Sequence, residues 1–303
     1  MDDYKRKNDP KEMSFKELLF LIKDKRKILA VTTGIFTLLA IIFALALPNI
    51  YSSSALLAPA NQNDSLSSQL GGLSSIASFT GVGIPNQATS PSFEGVERIQ
   101  SLSFFSDHFL PYINLYDLFA IEGWNSETNK ILYDVDIYDP VKEEWTRKVS
   151  LPRKQVPSIQ EAYEVYLDIL QISQDVRSEY VEISISHRSP FLAKEWLDII
   201  VLNINESMRS EDIVEATNAI DFLNKSSQET NLTEIKDAIS ELLENQMQTL
   251  MLASANEFYV FKIIDAPFSP ELKSSPHRSL IVLIGLISGF LIGLIFALVY
   301  RNE

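Results

Sequence analysis

The sequence contains no cysteine and only three histidines among 303 residues. Without cysteine the chain forms no disulfide and offers no thiolate for catalysis or for metal binding. The histidines, His108, His187 and His277, are far apart, and no HExxH, GxSxG or GxGxxG pattern occurs. These absences disfavour an enzyme, and no cofactor or metal site is predicted.

Charged residues are missing from two long stretches. Ile28 to Leu47 is twenty residues long and Leu280 to Tyr300 is twenty-one, and no segment between them is comparable. A helix of about 20 apolar residues crosses the core of a bilayer. The sequence therefore predicts transmembrane helices at 28–47 and 280–300.

The basic residues predict the orientation. Residues 1–27 hold nine Lys or Arg, which favours a cytoplasmic N-terminal segment. Two spans then place residues 48–279 in the periplasm and the tail, 301–303, back in the cytoplasm of a bacterial inner-membrane protein. Lys273 and Arg278 lie on the outer side of the second span and argue weakly for the opposite orientation.

A cleaved signal peptide is the alternative interpretation of the first span. Ala44-Leu45-Ala46 resembles a cleavage site with small residues. The apolar run is longer than the about 7 to 15 residues usual in such a peptide, and the segment before it is also long. We therefore favour a membrane anchor.

The periplasmic segment is strongly acidic. Residues 48–279 hold sixteen Lys or Arg and thirty-three Asp or Glu, a net charge of −17. This domain is therefore not expected to bind nucleic acid or anionic lipid by bulk electrostatics. Acidic pairs such as Glu143-Glu144 and Glu211-Asp212 are interpreted as solvated faces rather than as the carboxylates of a glycosidase.

The first half of this segment predicts a mixed domain. Ile50 to Leu57 alternates as a strand, 61–92 is a Ser- and Gly-rich loop, and Phe93 to Leu110 is a helix opened by Ser92. Further strands are expected near Trp145 to Leu151. Tyr180 to Ser186 is the clearest strand, with Val181, Ile183 and Ile185 predicted to be buried.

Glycine and proline are absent from Phe191 to Ala266, which predicts a very long helical region. Ser189 is the predicted N-cap of the first helix and Pro190 its first residue. A helix from Pro190 to Asn224 would extend about 50 Å. A capping box of Asn231 and Glu234 predicts a second helix. Trp196, in the apolar stripe, is expected in the core or at a subunit interface.

The end of the periplasmic segment predicts a strand and a stiff connector. Glu257 to Ile264 has the composition of a buried strand. Pro267, Pro270 and Pro276 exclude helix from the connector, 267–279. The predicted fold class is therefore an α/β (α+β) membrane-proximal domain with a long helical arm, flanked by two transmembrane helices; the base comprises 48–188 and 257–266, and the arm 190–256.

Small residues recur every fourth position in the second span, at Gly285, Gly289, Gly293 and Ala297. Such a ridge allows another helix to approach closely, either the first span or a neighbouring subunit. Ordinary membrane-helix composition is the alternative explanation. Arg278 is expected to anchor the helix at the membrane interface.

Four aromatic residues, Trp124, Tyr133, Tyr138 and Trp145, could stack on sugar rings, but packing within the domain explains them at least as well.

Four segments, taken in their order along the chain, resemble the polysaccharide co-polymerases, the chain-length determinants of bacterial surface glycans. The resemblance is carried by a basic N-terminus and span followed by YSSSALLAP, by SPFLAKEWLDIIVLNIN (189–205), by ELLENQMQTLMLASANEFYVFKIIDAP (241–267), and by the proline-rich approach to a glycine-containing span (267–293). The Ser/Gly loop departs from the shortest members of the family.

The resemblance implies a homo-oligomeric regulator without a reaction of its own. Such a protein sets the chain length of lipopolysaccharide O-antigen together with an integral-membrane polymerase, and its partners would include the growing polysaccharide and membrane lipid. No GxxxxGK[ST] motif of a fused tyrosine kinase occurs. A component of capsule or exopolysaccharide export, or the sensing half of a split tyrosine kinase, is the alternative. A periplasmic sensor is disfavoured because few cytoplasmic residues remain to transmit a signal.

Overall fold

The computed structural model describes residues 22–60, 90–256 and 258–299. The chain divides into two compact units: one comprises the residues up to Asn49 and from Ser274 onward, and the other comprises Ile50–Lys273. The predictions for residues 1–21, for most of the Ser/Gly loop (61–89) and for the C-terminal tail lie outside the described residues.

The described elements follow in chain order. They are α1 (Arg26–Ala46), β1 (Tyr51–Pro59), α2 (Pro91–Ile99), α3 (Leu102–Phe104) continued by a π turn (Phe105–Phe109) and a 3-10 turn (Leu110–Tyr112), α4 (Leu115–Phe119), β2 (Ile121–Asn125), β3 (Lys130–Tyr133), β4 (Tyr138–Asp139), β5 (Glu144–Trp145), α5 (Ile159–Ile169), β6 (Leu170–Gln174), β7 (Val181–His187), α6 (Pro190–Glu229), α7 (Thr233–Ala255), β8 (Phe261–Asp265) and α8 (Arg278–Val299).

A four-stranded antiparallel sheet organises the unit of residues 50–273. Its strand order is β6-β7-β1-β8, and Ala55 of β1 lies opposite Ile183 of β7. Because side chains alternate along a strand, one face carries the apolar residues of both central strands. Val181, Ile183 and Ile185 are all fully buried on that face, which confirms the predicted alternation of β7.

Helix α6 covers the apolar face of this sheet. Ser189 Oγ accepts a hydrogen bond from the Leu192 amide and Pro190 is the first helical residue, which confirms the predicted start. The core side chains of α6 run as far as Met208, so the first half of the helix belongs to the packed base. Trp196 lies in this core and is 1% exposed.

Helix α6 is longer than predicted. It continues for 40 residues to Glu229, through the polar run in which the sequence predicted its end at Asn224. Lys, Gln and Glu are good helix formers, so a polar stretch without Gly or Pro does not by itself end a helix. The predicted capping box is wrong: α7 begins at Thr233, after Leu232, and no side chain caps it.

The single helix predicted from Phe93 to Leu110 is wrong in its continuity and in its start. Ser101 Oγ donates to the Arg98 carbonyl and accepts from the Phe104 amide, so the same side chain ends α2 and begins α3. Helix α2 begins at Pro91, one residue before Ser92, whose Oγ donates to Glu179 at 2.7 Å.

The strand predicted near Trp145 to Leu151 is also wrong beyond Trp145, where β5 ends. Arg147 Nε donates to the Gln155 carbonyl at 2.6 Å, and Nη2 donates to the Lys154 carbonyl at the same distance. These bonds fold the chain back on itself. Helix α5, which follows this loop, was not predicted.

Candidate functional site

Helices α1 and α8 are the two described helices long and apolar enough to cross a membrane. Most of their large side chains are exposed, including Leu45 (64%) and Ile295 (59%). A core helix of a soluble protein would bury such residues, whereas a membrane span presents them to lipid. The chain therefore has the layout of a two-pass membrane protein.

The small residues of α8 face α1. A Cβ atom built on Gly289 would lie 2.7 Å from the Phe36 Cβ and 3.0 Å from the Thr33 Cα. At Gly285 it would meet the Ala40 side chain, and at Gly293 the Thr32 hydroxyl. Contacts this short leave no room for a side chain, so the glycines set the distance between the two helices.

The pairing runs antiparallel, since successive glycines along α8 meet successively earlier residues of α1. Ala297 continues the ridge and is fully buried. On the facing helix, Thr32 Oγ1 donates to the carbonyl of Ile28 at 3.0 Å, so the hydroxyl is satisfied within its own helix. The contact therefore rests on close packing rather than on hydrogen bonds between the helices.

Arg278 is the first residue of α8. Its Nη2 atom donates to the carbonyl of Leu47 at 3.4 Å and to Asn49 Oδ1 at 3.2 Å, both just after α1. The guanidinium therefore ties the start of one apolar helix to the end of the other. Its anchoring to lipid headgroups stays a prediction.

The connector prolines lie in a segment without helix, between β8 and α8. Pro267 is buried and Pro270 and Pro276 are half-buried. The segment next to Pro267 runs beside β1, where the Ser53 hydroxyl donates to the Phe268 carbonyl at 2.7 Å. This bond fixes the path of the chain as it leaves the sheet.

Three of the four aromatic residues singled out in the sequence lie together. Tyr138 stacks on Tyr116 with the ring centroids 4.6 Å apart, and its ring also contacts Tyr133 and Trp145. Tyr133 donates to Asp117 Oδ1 at 2.6 Å; burial and this hydrogen bond raise the pKa of Tyr133. Tyr138 is only 7% exposed, so this cluster packs within the domain rather than presenting open ring faces.

Trp124 lies in a different aromatic group. Its ring contacts Tyr51 and Phe191, with centroids 5.6 and 5.8 Å away, and its indole nitrogen donates to Asn129 Oδ1 at 2.9 Å. The sequence did not indicate this grouping, because the three residues are far apart along the chain.

The acidic pair Glu211-Asp212 and the histidine His187 lie in structural contacts. Glu211 pairs with Arg98, and Asp212 accepts from the Tyr259 hydroxyl. Among the described residues, no group of three or more His, Asp or Glu could hold a metal ion. The ring of His187 is buried against Trp196, with the centroids 4.6 Å apart, and burial lowers the pKa of His187.

One family model matches part of the chain. The family model described as "Wzz: Chain length determinant protein" matches residues 11–101. No curated protein matches the chain.

Similar solved structures carry related descriptions. One is a "full-length bacterial polysaccharide co-polymerase", with 11% identity, a TM-score of 0.38 and coverage of 95% of this chain and 98% of that one. Another is a fragment of the WzzB polysaccharide co-polymerase from Salmonella Typhimurium, with 16% identity, a TM-score of 0.32 and coverage of 75% and 100%. The match of the family model to residues 11–101 confirms that this chain resembles the chain-length determinants, the polysaccharide co-polymerase family indicated by its sequence.

Proposed function

We propose that this protein regulates the length of lipopolysaccharide O-antigen chains, as an oligomeric scaffold that acts with an integral-membrane polymerase. The observation that carries the proposal is the match of residues 11–101 to the chain length determinant family. The match includes α1 and β1, so it covers both a span and the start of the sheet. Length control requires no catalytic set in this chain, because the polymerase forms the glycosidic bonds.

The proposed topology places both termini in the cytoplasm and 48–279 in the periplasm of a bacterial inner membrane. Nine basic residues precede the first span, and the positive-inside rule favours keeping them in the cytoplasm. The antiparallel packing of α1 and α8 agrees with two spans that cross in opposite directions. We take 28–47 and 280–300 as the spans and 267–279 as the connector.

The proposed homo-oligomer is supported by the second half of the helical region. There α6 and α7 pack on each other, yet they leave large apolar side chains exposed, including Phe222 (70%) and Met251 (65%). Apolar groups on a periplasmic surface favour association, since burying them removes apolar area from water. The polymerase and the growing polysaccharide are the other proposed partners.

Deletion of the gene, followed by electrophoresis of every surface polysaccharide, tests the proposal. A changed distribution of lipopolysaccharide lengths, restored by a plasmid copy, is the expected result. If only capsule or exopolysaccharide changes, the alternative role in export, or in a split kinase system, replaces the O-antigen assignment. Unchanged lengths for all surface polymers would contradict both.

A further inference from the structure

The aromatic trio of Tyr51, Trp124 and Phe191 lies at one end of the four-stranded sheet. Tyr51 is the first residue of β1 and lies opposite His187, the last residue of β7. Phe191 is the second residue of α6, which begins just after β7. The start of β1, the start of α6 and the β2–β3 hairpin therefore bring the three rings together.

The described residues of the unit cover this aromatic trio only in part. Phe191 is 48% exposed, and Tyr51 and Trp124 are half-buried. Phe268, 56% exposed, lies beside the same strand, because its backbone carbonyl accepts a hydrogen bond from Ser53, two residues beyond Tyr51. Core aromatic groups of the same unit, such as Phe105 and Tyr166, are fully buried, so the trio is not part of the core.

The covalent chain keeps this surface near the bilayer. Tyr51 follows the last residue of α1, Ala46, by five residues, which at full extension reach at most about 18 Å. Phe268 precedes the first residue of α8, Arg278, by ten residues. Trp and Tyr rings combine an apolar body with a polar edge and concentrate at membrane interfaces.

We propose that Tyr51, Trp124, Phe191 and Phe268 form a lipid-contact surface that seats the unit of residues 50–273 in the headgroup region of the adjacent leaflet. This inference goes beyond the proposed function, since it holds whichever polysaccharide the protein regulates. It explains why a strongly acidic unit keeps aromatic groups exposed at the end where its chain joins the apolar helices. Contact of this kind depends on aromatic and apolar burial at the interface rather than on attraction to anionic lipid.

Quenching by brominated lipids tests the inference on the full-length protein. The protein is reconstituted into phosphatidylethanolamine and phosphatidylglycerol vesicles that contain lipids brominated close to the headgroup. Bromine should quench part of the tryptophan fluorescence, and the Trp124→Phe variant should lose most of that quenching. Trp145→Phe is the matched control and should keep it, because Trp145 lies in the other aromatic cluster.

A second probe uses the absence of native cysteine. Phe268→Cys and Phe222→Cys, at two exposed phenylalanines, are each labelled with the same fluorophore. The label at 268 should be blue-shifted and quenched by the brominated lipid, whereas the label at 222 should not be quenched. If the Trp124→Phe variant keeps the quenching of the wild type, or if the label at 268 is quenched no more than the label at 222, the surface is not seated in lipid. A blue shift at 268 without quenching would show that protein covers it, which also overturns the inference.

Discussion

Asn205 holds Phe261 at both of its backbone hydrogen-bonding groups. Its Oδ1 accepts from the Phe261 amide at 2.9 Å, and its Nδ2 donates to the Phe261 carbonyl at 3.1 Å. The same Oδ1 accepts from the Val260 amide at 2.9 Å, and the Asn205 side chain is buried. One amide of the long helix therefore fixes the start of the edge strand β8.

Replacement of this amide should destabilise the unit of residues 50–273. Asn205→Ala leaves two buried amides and one carbonyl without their partner, and we expect the free energy of unfolding to fall by about 3 kcal/mol. Chemical denaturation in detergent, followed by circular dichroism, measures the change. Asn218→Ala, at an exposed position of the same helix, should behave as wild type. Equal stability of the two variants would contradict the role given to Asn205.

The second prediction concerns the contact between α1 and α8. Gly289→Leu forces a side chain against Phe36 and Thr33, and overpacking of this kind costs about 1 to 3 kcal/mol. The span stays hydrophobic, so the variant should reach the membrane, but the distribution of polysaccharide lengths should shift or broaden. Ile287→Leu, on the exposed side of the same helix, is the control. Wild-type distributions for both variants would mean that the ridge is ordinary membrane-helix composition.

The third prediction is a pH dependence of stability. Burial lowers the pKa of His187 below its ordinary value of 6.5, so the folded protein keeps the ring neutral. His187 Nδ1 accepts from the Ser189 amide, a bond that only a ring unprotonated at Nδ1 can make. The unfolded chain binds a proton first as the pH falls, so this contribution to stability is complete above pH 6.5 and decreases below it.

His187→Gln should remove the contribution of His187 to the pH dependence of stability. Denaturation midpoints are measured between neutral pH and the onset of carboxylate titration. As the pH is lowered, the midpoint should decrease in the wild type and change less in the variant. The variant is expected to be less stable at neutral pH, since the ring contact with Trp196 is lost. Parallel slopes for the two proteins would contradict the assignment.

The fourth prediction concerns the loop between β5 and α5. Arg147 binds Glu161 at 2.7 Å as well as the carbonyls of Lys154 and Gln155. Arg147→Met should release this loop, so that trypsin cleaves faster after Lys154. Lys142→Met is the control, because Lys142 is exposed and pairs only with nearby Asp139 among the described residues. Mass spectrometry of the fragments over time identifies the site, and an unchanged cleavage rate would contradict the prediction.

The sequence predicted the features that depend on a regular pattern. The alternation around Ile183, the start of α6 at Pro190 and the two uncharged runs each correspond to an observed element. Features that depend on the hydrogen bonds of one side chain to backbone groups were missed. The Ser101 switch between helices and the fold of the loop around Arg147 belong to this class.

Helix α5 could have been found from its own signals. Ser158 Oγ accepts from the Glu161 amide, so the first half of a capping box was visible in the sequence. The contact of Asn205 with β8 was not visible, since it joins residues 56 positions apart. The only local sign was a polar residue inside the apolar stripe that contains Ile204 and Met208.

The central claim is that this protein sets polymer length without making polymer. The most direct measurement is the incorporation of a labelled sugar into surface polysaccharide, taken together with its length distribution, in a deletion strain with and without a plasmid copy of the gene. We predict that total incorporation stays close to wild type while the length distribution changes in the deletion strain and is restored by the plasmid. Loss of incorporation in proportion to the change in length, or an unchanged distribution, would contradict the claim.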